Sequence, residues 1–324
     1  MTNSLTSIEV CAGAGGQALG LEQAGFEHVL LVDNDPHCCA SLRLNRPNWN
    51  VLEADLKDIS VANASNLDLF AGGLPCPPFS VAGKQLGDRD ERNLFNDALR
   101  LVEQLDPKFV LIENVRGFLD PKFEDYRAIL RRQFKRLGYQ IDWRLLHASD
   151  FGVSQLRPRV AIVAGKSAYW PFFRFPDASP DTPPTVGELL KDLMSLEGWQ
   201  GADEWAGRAD QIAPTIVGGS KKHGGPDLGP TRARRAWEAL GVNGKSIAEA
   251  APEPGFNGLP RLTVRMVARL QGFPDAWAFS GRKTNAYRQV GNAFPPPVAK
   301  ALGEAISDAI AAAQLHSNPK AANG

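Results

Sequence analysis

The stretch Ile8-Glu9-Val10-Cys11-Ala12-Gly13-Ala14-Gly15-Gly16-Gln17 decides the fold. Ile8 to Cys11 is a short, mostly apolar run of strand character that stops at glycines. An amphipathic segment, Gln17 to Ala24, follows at once with helical spacing. Glycines between a strand and a helix let backbone come close to a ligand. The same alternation continues outward. Val29 to Val32 is a second strand, ending in Asp33-Asn34-Asp35, and Pro36 sits where a first helical turn begins. Asn50 to Glu53 is a weaker third strand ending near Asp55, Leu67 to Ala71 a fourth, and Phe109 to Ile112 a fifth. Helices are expected over Leu94 to Gln104 and Phe123 to Leu137. Strands alternating with helices predict an α/β fold with a parallel, doubly wound sheet. Ligands of such sheets bind beyond the carboxyl ends of the strands. The distinctive residues fall there: the glycines after strand one, Asp33 after two, Asp55 after three, Cys76 after four and Glu113 after five.

The chain has 324 residues, enough for one large domain or two smaller ones, and its 43% hydrophobic content is ordinary for a globular protein. No apolar run is long enough to span a bilayer and no apolar leader opens the chain, so no membrane partner is expected. Cys11, Cys38, Cys39 and Cys76 make no disulfide framework, and without paired Cys-x-x-Cys spacing no metal is expected. A reducing cytoplasm fits, where Cys76 stays a free thiol. Thirty-six basic residues balance thirty-six acidic ones, so net charge identifies no partner. Any nucleic-acid surface must come from local clustering.

Cys76 lies in Gly72-Gly73-Leu74-Pro75-Cys76-Pro77-Pro78-Phe79-Ser80. Its prolines fix φ and remove backbone donors, so the loop neither prolongs the strand nor starts a helix. A thiol on a stiff turn at a strand end is placed to react, yet free cysteines are also often buried packing residues. The loop alone does not choose between the two. From Tyr169-Trp170-Pro171 to about Gly258 the chain is rich in Gly and Pro, with few clean periods. Between Gly207 and Lys245, seven Lys and Arg face three acids, an excess of four positive charges. A solvated loop is the plain reading; in a neutral chain beside a reactive cysteine, phosphate contacts suit it better. Helical spacing returns over Leu262 to Leu270 and Pro297 to Ala312.

Gly13 to Gly16, Asp33 and Asp55 together suggest an adenosine-containing cofactor. They do not separate NAD from S-adenosylmethionine, and helix capping explains either Asp equally well. The remaining motifs separate the two. Glu113-Asn114-Val115 ends strand five, and Gln155-Leu156-Arg157-Pro158-Arg159 precedes the apolar run Val160 to Ala164. Arg261-Leu262-Thr263-Val264-Arg265, Gln271-Gly272-Phe273-Pro274 and Gln289-Val290-Gly291-Asn292-Ala293 follow. With Gly-x-Pro-Cys-x-x-Phe-Ser, their order and spacing resemble the DNA cytosine-C5 methyltransferases of bacterial restriction–modification type. The resemblance covers nearly the whole chain apart from about residues 175–258.

The resemblance implies a mechanism and residue roles. Cytosine carbon 5 is too poor a nucleophile to take a methyl group directly. The Cys76 thiolate adds at carbon 6, carbon 5 becomes enamine-like and attacks the sulfonium methyl, and loss of the carbon-5 proton with expulsion of the thiolate restores the ring. Glu113 matches the glutamate at ring nitrogen 3 and the exocyclic amine. Arg157 matches the arginine on the cytosine carbonyl oxygen, and Arg159 a neighbour that supports the catalytic loop. S-adenosylmethionine falls to the backbone of Gly13, Gly15 and Gly16, to Cys11, to Asp33 and Asn34, and to Asp55 and Leu56. Pro75, Leu94, Asn292 and Ala293 complete that set. A target base inside a duplex must be flipped out, with Val81 to Arg92 as a lid. Ser80, Lys84, Arg89, Lys221, Lys222, Arg232, Arg234 and Arg235 are the expected DNA contacts. Residues 1–168 plus 283–324 form the implied catalytic domain, and 169–282 a small domain that reads the target. A monomer acting on double-stranded DNA, beside a cognate restriction endonuclease, is the implied setting. Two positions depart from the pattern. Cys11 stands where the family usually stacks a Phe on adenine, and Pro77 where a Gln usually follows the cysteine. The rivals are an RNA methyltransferase on the same motifs, a non-catalytic DNA-binding relative, and an NAD dehydrogenase.

Overall fold

The strands are β1 (Leu5–Val10), β2 (Phe26–Asp33), β3 (Val51–Glu53), β4 (Leu69–Gly72), β5 (Phe109–Val115), β6 (Tyr139–His147) and β7 (Pro158–Lys166). They form one seven-stranded sheet in the order β3-β2-β1-β4-β5-β7-β6. The computed structural model describes residues 4–61, 66–74, 94–219 and 225–317. The first five strands of the chain run parallel. β7 runs antiparallel to both β5 and β6, so the doubly wound sheet is parallel in its first five strands and mixed at one edge. The sequence reading also missed β6. Its alternating burial is that of an edge strand covered on one face, a weaker signal than a continuous apolar run.

Helices cover both faces, as a mostly parallel sheet requires. On one face lie α3 (Leu94–Leu105) and α4 (Glu124–Arg136). α3 turns Phe95, Ala98, Leu99, Val102 and Leu105 inward at helical spacing, and α4 adds Tyr126, Leu130 and Phe134. On the other face α1 (Gly16–Gln23) packs along α10 (Pro296–Ser317), whose Val298, Leu302, Ile306 and Ile310 are buried. The helices approach closely at Gly20, where a Cβ would stand 2.3 Å from the Pro296 carbonyl oxygen. The strand order reverses between β1 and β4, so the carboxyl ends of these two strands flank the switch point where such sheets bind ligands.

α2 (Pro36–Asn45) follows β2, with Asp35 as its cap. The Gly- and Pro-rich stretch is more regular than its composition suggests. It holds α5 (Val186–Met194), α6 (Ala202–Arg208) and α7 (Thr231–Ala239), followed by α8 (Val264–Leu270) and α9 (Lys283–Asn292). α5 carries a signal that could have found it: Thr185 and Glu188 form a reciprocal capping box. These helices share a core in which Trp199, Trp205 and Trp237 are buried together with Leu19 of α1 and Tyr287 and Val290 of α9. Among the described residues no helix is long and apolar enough to cross a membrane.

Candidate active site

The turn after β1 is built for close approach. Gly13 and Gly15 take φ of +55° and +89°, a left-handed region open chiefly to glycine. A Cβ on Gly13 would meet nothing within 4 Å, whereas one on Gly16 would lie 2.2 Å from the Phe294 carbonyl oxygen. The first glycine therefore faces open space, and the second lets the C-terminal segment pass the start of α1. Cys11 also sits at positive φ, +51°. Asp33 locks the turn from β2: its carboxylate accepts from the N–H of Gly13 and of Asp35, both at 2.8 Å.

A cavity of about 430 Å³ opens beside this turn. Strand ends β1 and β2 supply Cys11, Asp33 and Asn34 to its wall, and the segment after β3 supplies Asp55 and Leu56. Leu94 of α3 and the pair Asn292–Ala293 close it. Ten of the twelve residues assigned to the cofactor thus line one space: Cys11, Gly13, Gly16, Asp33, Asn34, Asp55, Leu56, Leu94, Asn292 and Ala293. Gly15 is not among them, because its open side is taken by Leu42 and Trp277. Pro75 lies outside the described residues, as do Cys76, Ser80, Lys84, Arg89, Lys221, Lys222 and the expected lid. Capping is part of Asp55's work, since one oxygen accepts from the N–H of Lys57. At β2 the helix cap is Asp35 rather than Asp33.

Glu113, near the end of β5, lines the same cavity. A Cβ on Gly73, three residues before Cys76, would lie 3.7 Å from its Oε2. Arg159, from the start of β7, reaches Glu113 Oε1 with its Nε at 2.8 Å. The antiparallel register explains the meeting, since Arg159 stands opposite Val115 and Ala161 opposite Glu113. Burial pushes the Glu113 carboxyl above the usual range, against the opposing pull of the Arg159 and Arg157 guanidiniums. The next residue, Asn114, is buried and donates from Nδ2 to the Leu74 carbonyl at 3.2 Å. It ties β5 to the chain entering the cysteine loop, a role that the sequence reading did not give it.

Arg157 does not fit its expected part. Its side chain is fully buried and donates to the carbonyls of Ile216 at 2.7 Å and of Gly291 and Ala293 at 2.9 Å. Gln155 and Gln271 extend this joint. Gln155 Nε2 donates to Gln271 Oε1 at 2.7 Å, and Gln271 Nε2 donates to the Val290 carbonyl at 2.8 Å. The two glutamine motifs thus bind the sheet to the helices behind it. Arg159, not Arg157, is the arginine beside Glu113. Of the expected DNA contacts on α7, Arg232 and Arg235 are exposed, while Arg234 is half-buried against Gly244.

The cavity is acidic. Among the described residues, Glu9, Asp33, Asp35, Asp55 and Glu113 line it against one arginine, Arg288. Glu9 escaped the sequence reading, although an acid inside a strand buried on both faces is itself a signal. The Cys11 thiol is pushed up to about 12, by burial first and then by Asp33, Asp55 and Glu9, so it is an uncharged wall residue.

Residues 5–308 match the profile of the C-5 cytosine-specific DNA methylases. The chain belongs to that family. This methylase is 54% identical over 313 residues to the type II methyltransferase M.NaeI of Lentzea aerocolonigenes, covering 95% of this chain and 76% of the other. It is 55% identical over 308 residues to the type II methyltransferase M.NgoMIV of Neisseria gonorrhoeae, covering 94% and 98%. In structure it resembles Spodoptera frugiperda DNMT2 with a TM-score of 0.67 at 20% identity, over 94% of this chain and all of that one. The likeness extends to the Rossmann-like α/β architecture. The enzyme is a DNA cytosine-5-methyltransferase, which leaves the dehydrogenase and the non-catalytic reading without support.

Proposed function

We propose that this methylase transfers a methyl group from S-adenosylmethionine to carbon 5 of a cytosine flipped out of a specific double-stranded DNA sequence. In this reading Cys76 is the covalent nucleophile and the modification protects DNA from a cognate endonuclease. One observation carries it: the Glu113–Arg159 pair lies in the wall of the cavity that also gathers Gly13, Asp33 and Asp55. Two relatives more than half identical, both type II methyltransferases, favour duplex DNA over RNA.

The residues present fit the cofactor. Five acids suit a ligand bearing a sulfonium and an ammonium, and Gly13 leaves its face of the turn open. Asp33 and Asp55 are carboxylates in the cavity wall, chemically suited to ribose hydroxyls and an adenine amino group. Leu56 and Leu94 supply apolar walls for a purine, in place of the aromatic that Cys11 replaces. When bound, S-adenosylmethionine supplies an electrophilic methyl group. The protein's own part is acid catalysis and orientation. Addition of the Cys76 thiolate to carbon 6 moves an electron pair toward ring nitrogen 3. Burial raises the proton affinity of the Glu113 carboxyl, which suits it to deliver a proton there. Arg159 fixes that carboxyl and is the arginine available to the cytosine carbonyl oxygen. Methylation of carbon 5, loss of its proton to solvent, release of the thiolate and return of the nitrogen-3 proton to Glu113 then regenerate the ring and the enzyme.

Residues 169–282 are assigned target reading, with exposed Arg232 and Arg235 of α7 on DNA phosphates. Bisulfite sequencing of DNA from a host expressing the chain tests substrate, base and site together. Methylated cytosines within one short sequence are expected, and Cys76→Ala should remove them while leaving the melting temperature in place. Unmethylated host DNA, or full methylation by the variant, would overturn the reading.

A further inference from the structure

One end of the cavity is bounded by two elements that the sheet does not hold together. On one side stand Asp55 and Leu56, at the start of a single 3₁₀ turn, Leu56–Asp58. On the other stands Leu94, the first residue of α3. The turn follows β3, a three-residue strand at the sheet edge that pairs with β2. Within the turn the Asp58 N–H donates to the Asp55 carbonyl at 3.0 Å, and Asp55 caps its start. So short a turn has little hold on its own position. Arg100, in the second turn of α3, reaches across to it. Its Nη1 donates to the Ile59 carbonyl at 3.0 Å and its Nη2 to the Leu56 carbonyl at 3.2 Å. Leu56 and Ile59 are buried in the same core as Phe95 and Leu99 of α3. Apolar packing is non-directional, whereas a rigid guanidinium fork on two carbonyls selects one placement.

We propose that Arg100 is a positioning residue for the cofactor. It fixes the Asp55–Leu56 wall relative to Leu94, and with it the fit of the nucleoside. The inference rests on the cofactor reading above and adds a residue that stands outside every motif. Arg100 is not among the described residues that line the cavity, so it acts through Asp55 and Leu56 rather than by contact with the ligand. Binding groups must be held within about 0.5 Å of their productive place. Without the fork the Leu56 and Ile59 carbonyls lose their donor and the turn can drift from α3. Glu113 and Arg159 are tied to each other on β5 and β7, so the chemical step should not follow that drift.

Titration calorimetry with S-adenosylhomocysteine tests this on wild type, Arg100→Met, Arg100→Lys and Arg131→Met. Methionine keeps an apolar stem and removes both donors. Lysine keeps the charge but lacks the fork. Arg131→Met is the control. Arg131 of α4 donates to the Ile141 carbonyl at 3.2 Å, a bond of the same kind on β6, at the far edge of the sheet. Arg100→Met should weaken binding about tenfold and Arg100→Lys roughly three- to fivefold. Single-turnover methyl transfer at saturating cofactor should stay within about twofold of wild type in both. Arg131→Met should bind as wild type does. Affinity within about twofold of wild type in both Arg100 variants would overturn the proposal, even if both melted earlier, and would leave Arg100 a tie of the fold alone. An equal loss in Arg131→Met would overturn it too, by making the effect one of general stability. So would a slowed turnover at saturating cofactor with unchanged affinity. If Arg100→Met does not fold, Arg100→Lys decides by the same limits. A wild-type protein that does not bind S-adenosylhomocysteine would instead fail the cofactor reading, and the proposal with it.

Discussion

Arg157 and Arg159 stand two residues apart, carry the same chemistry and do opposite work. Arg157 is sealed inside a joint of backbone carbonyls contributed by Ile216, Gly291 and Ala293. Arg159 sits at the cavity wall on Glu113. The joint holds the sheet against the helices behind it, whereas the wall presents a carboxyl to a substrate. A guanidinium has five donors in a rigid fork, so it serves either purpose. What decides is which surfaces its segment meets in the fold.

The largest expected effect is on the joint. Arg157→Ala leaves three carbonyls without their charged donor and should cost about 3–5 kcal/mol of folding stability, read by chemical denaturation. A loss under about 1 kcal/mol would make Arg157 a wall residue after all. At the wall, Glu113→Gln should lower single-turnover methyl transfer by roughly 10²–10⁴, the usual worth of a positioned acid, with little change in binding of S-adenosylmethionine. The pH dependence follows from the direction of the shift. The Glu113 carboxyl lies above its ordinary value, so its contribution to stability is complete below that ordinary value. The contribution is lost as pH rises through the raised one. Transfer that depends on its proton should fall over the same window in wild type, and Glu113→Gln should flatten that limb. A profile shared by both proteins would remove Glu113 as the acid.

Arg159→Ala should act on turnover more than on folding. The expected loss is about tenfold to a hundredfold in turnover, with a smaller stability change than for Arg157→Ala, since Arg159 meets one carboxyl at the cavity wall rather than three buried carbonyls. If stability fell as far as for Arg157→Ala, the contrast between the two arginines would disappear. The smallest effect concerns the exposed arginines of α7. Arg232→Ala with Arg235→Ala should lower the salt dependence of DNA binding by a slope of roughly 2 and leave turnover at saturating DNA unchanged. An unaltered slope would move the phosphate contacts elsewhere.

Much of the wall was legible in the sequence, for a physical reason. Parallel strands buried on both faces read as apolar runs, and the residue that ends each run must lie at the sheet's carboxyl edge. Asp33, Asp55 and Glu113 could therefore be placed together before any coordinates. Glu9 and Gln17 sit inside a strand and a helix, where residue pattern signals packing rather than a site. Asn114 lies within the Glu113-Asn114-Val115 motif, but its tie to Leu74 depends on how β4 and β5 lie side by side. The helices from α5 to α7 were obscured by Gly and Pro between them, although Thr185 and Glu188 announced one start.

By itself, then, the sequence determined the α/β alternation, the set of strand-end residues and the family. These rest on local periodicity and on motif spacing, both of which are written along the chain. Only the tertiary structure decided that β7 enters the sheet antiparallel, that Arg157 is a joint and Arg159 a wall residue, and that Glu9 and Gln17 share the cofactor cavity. Those outcomes depend on partners far apart in sequence. Burial and hydrogen-bond pairing, rather than residue type, assign each side chain its work.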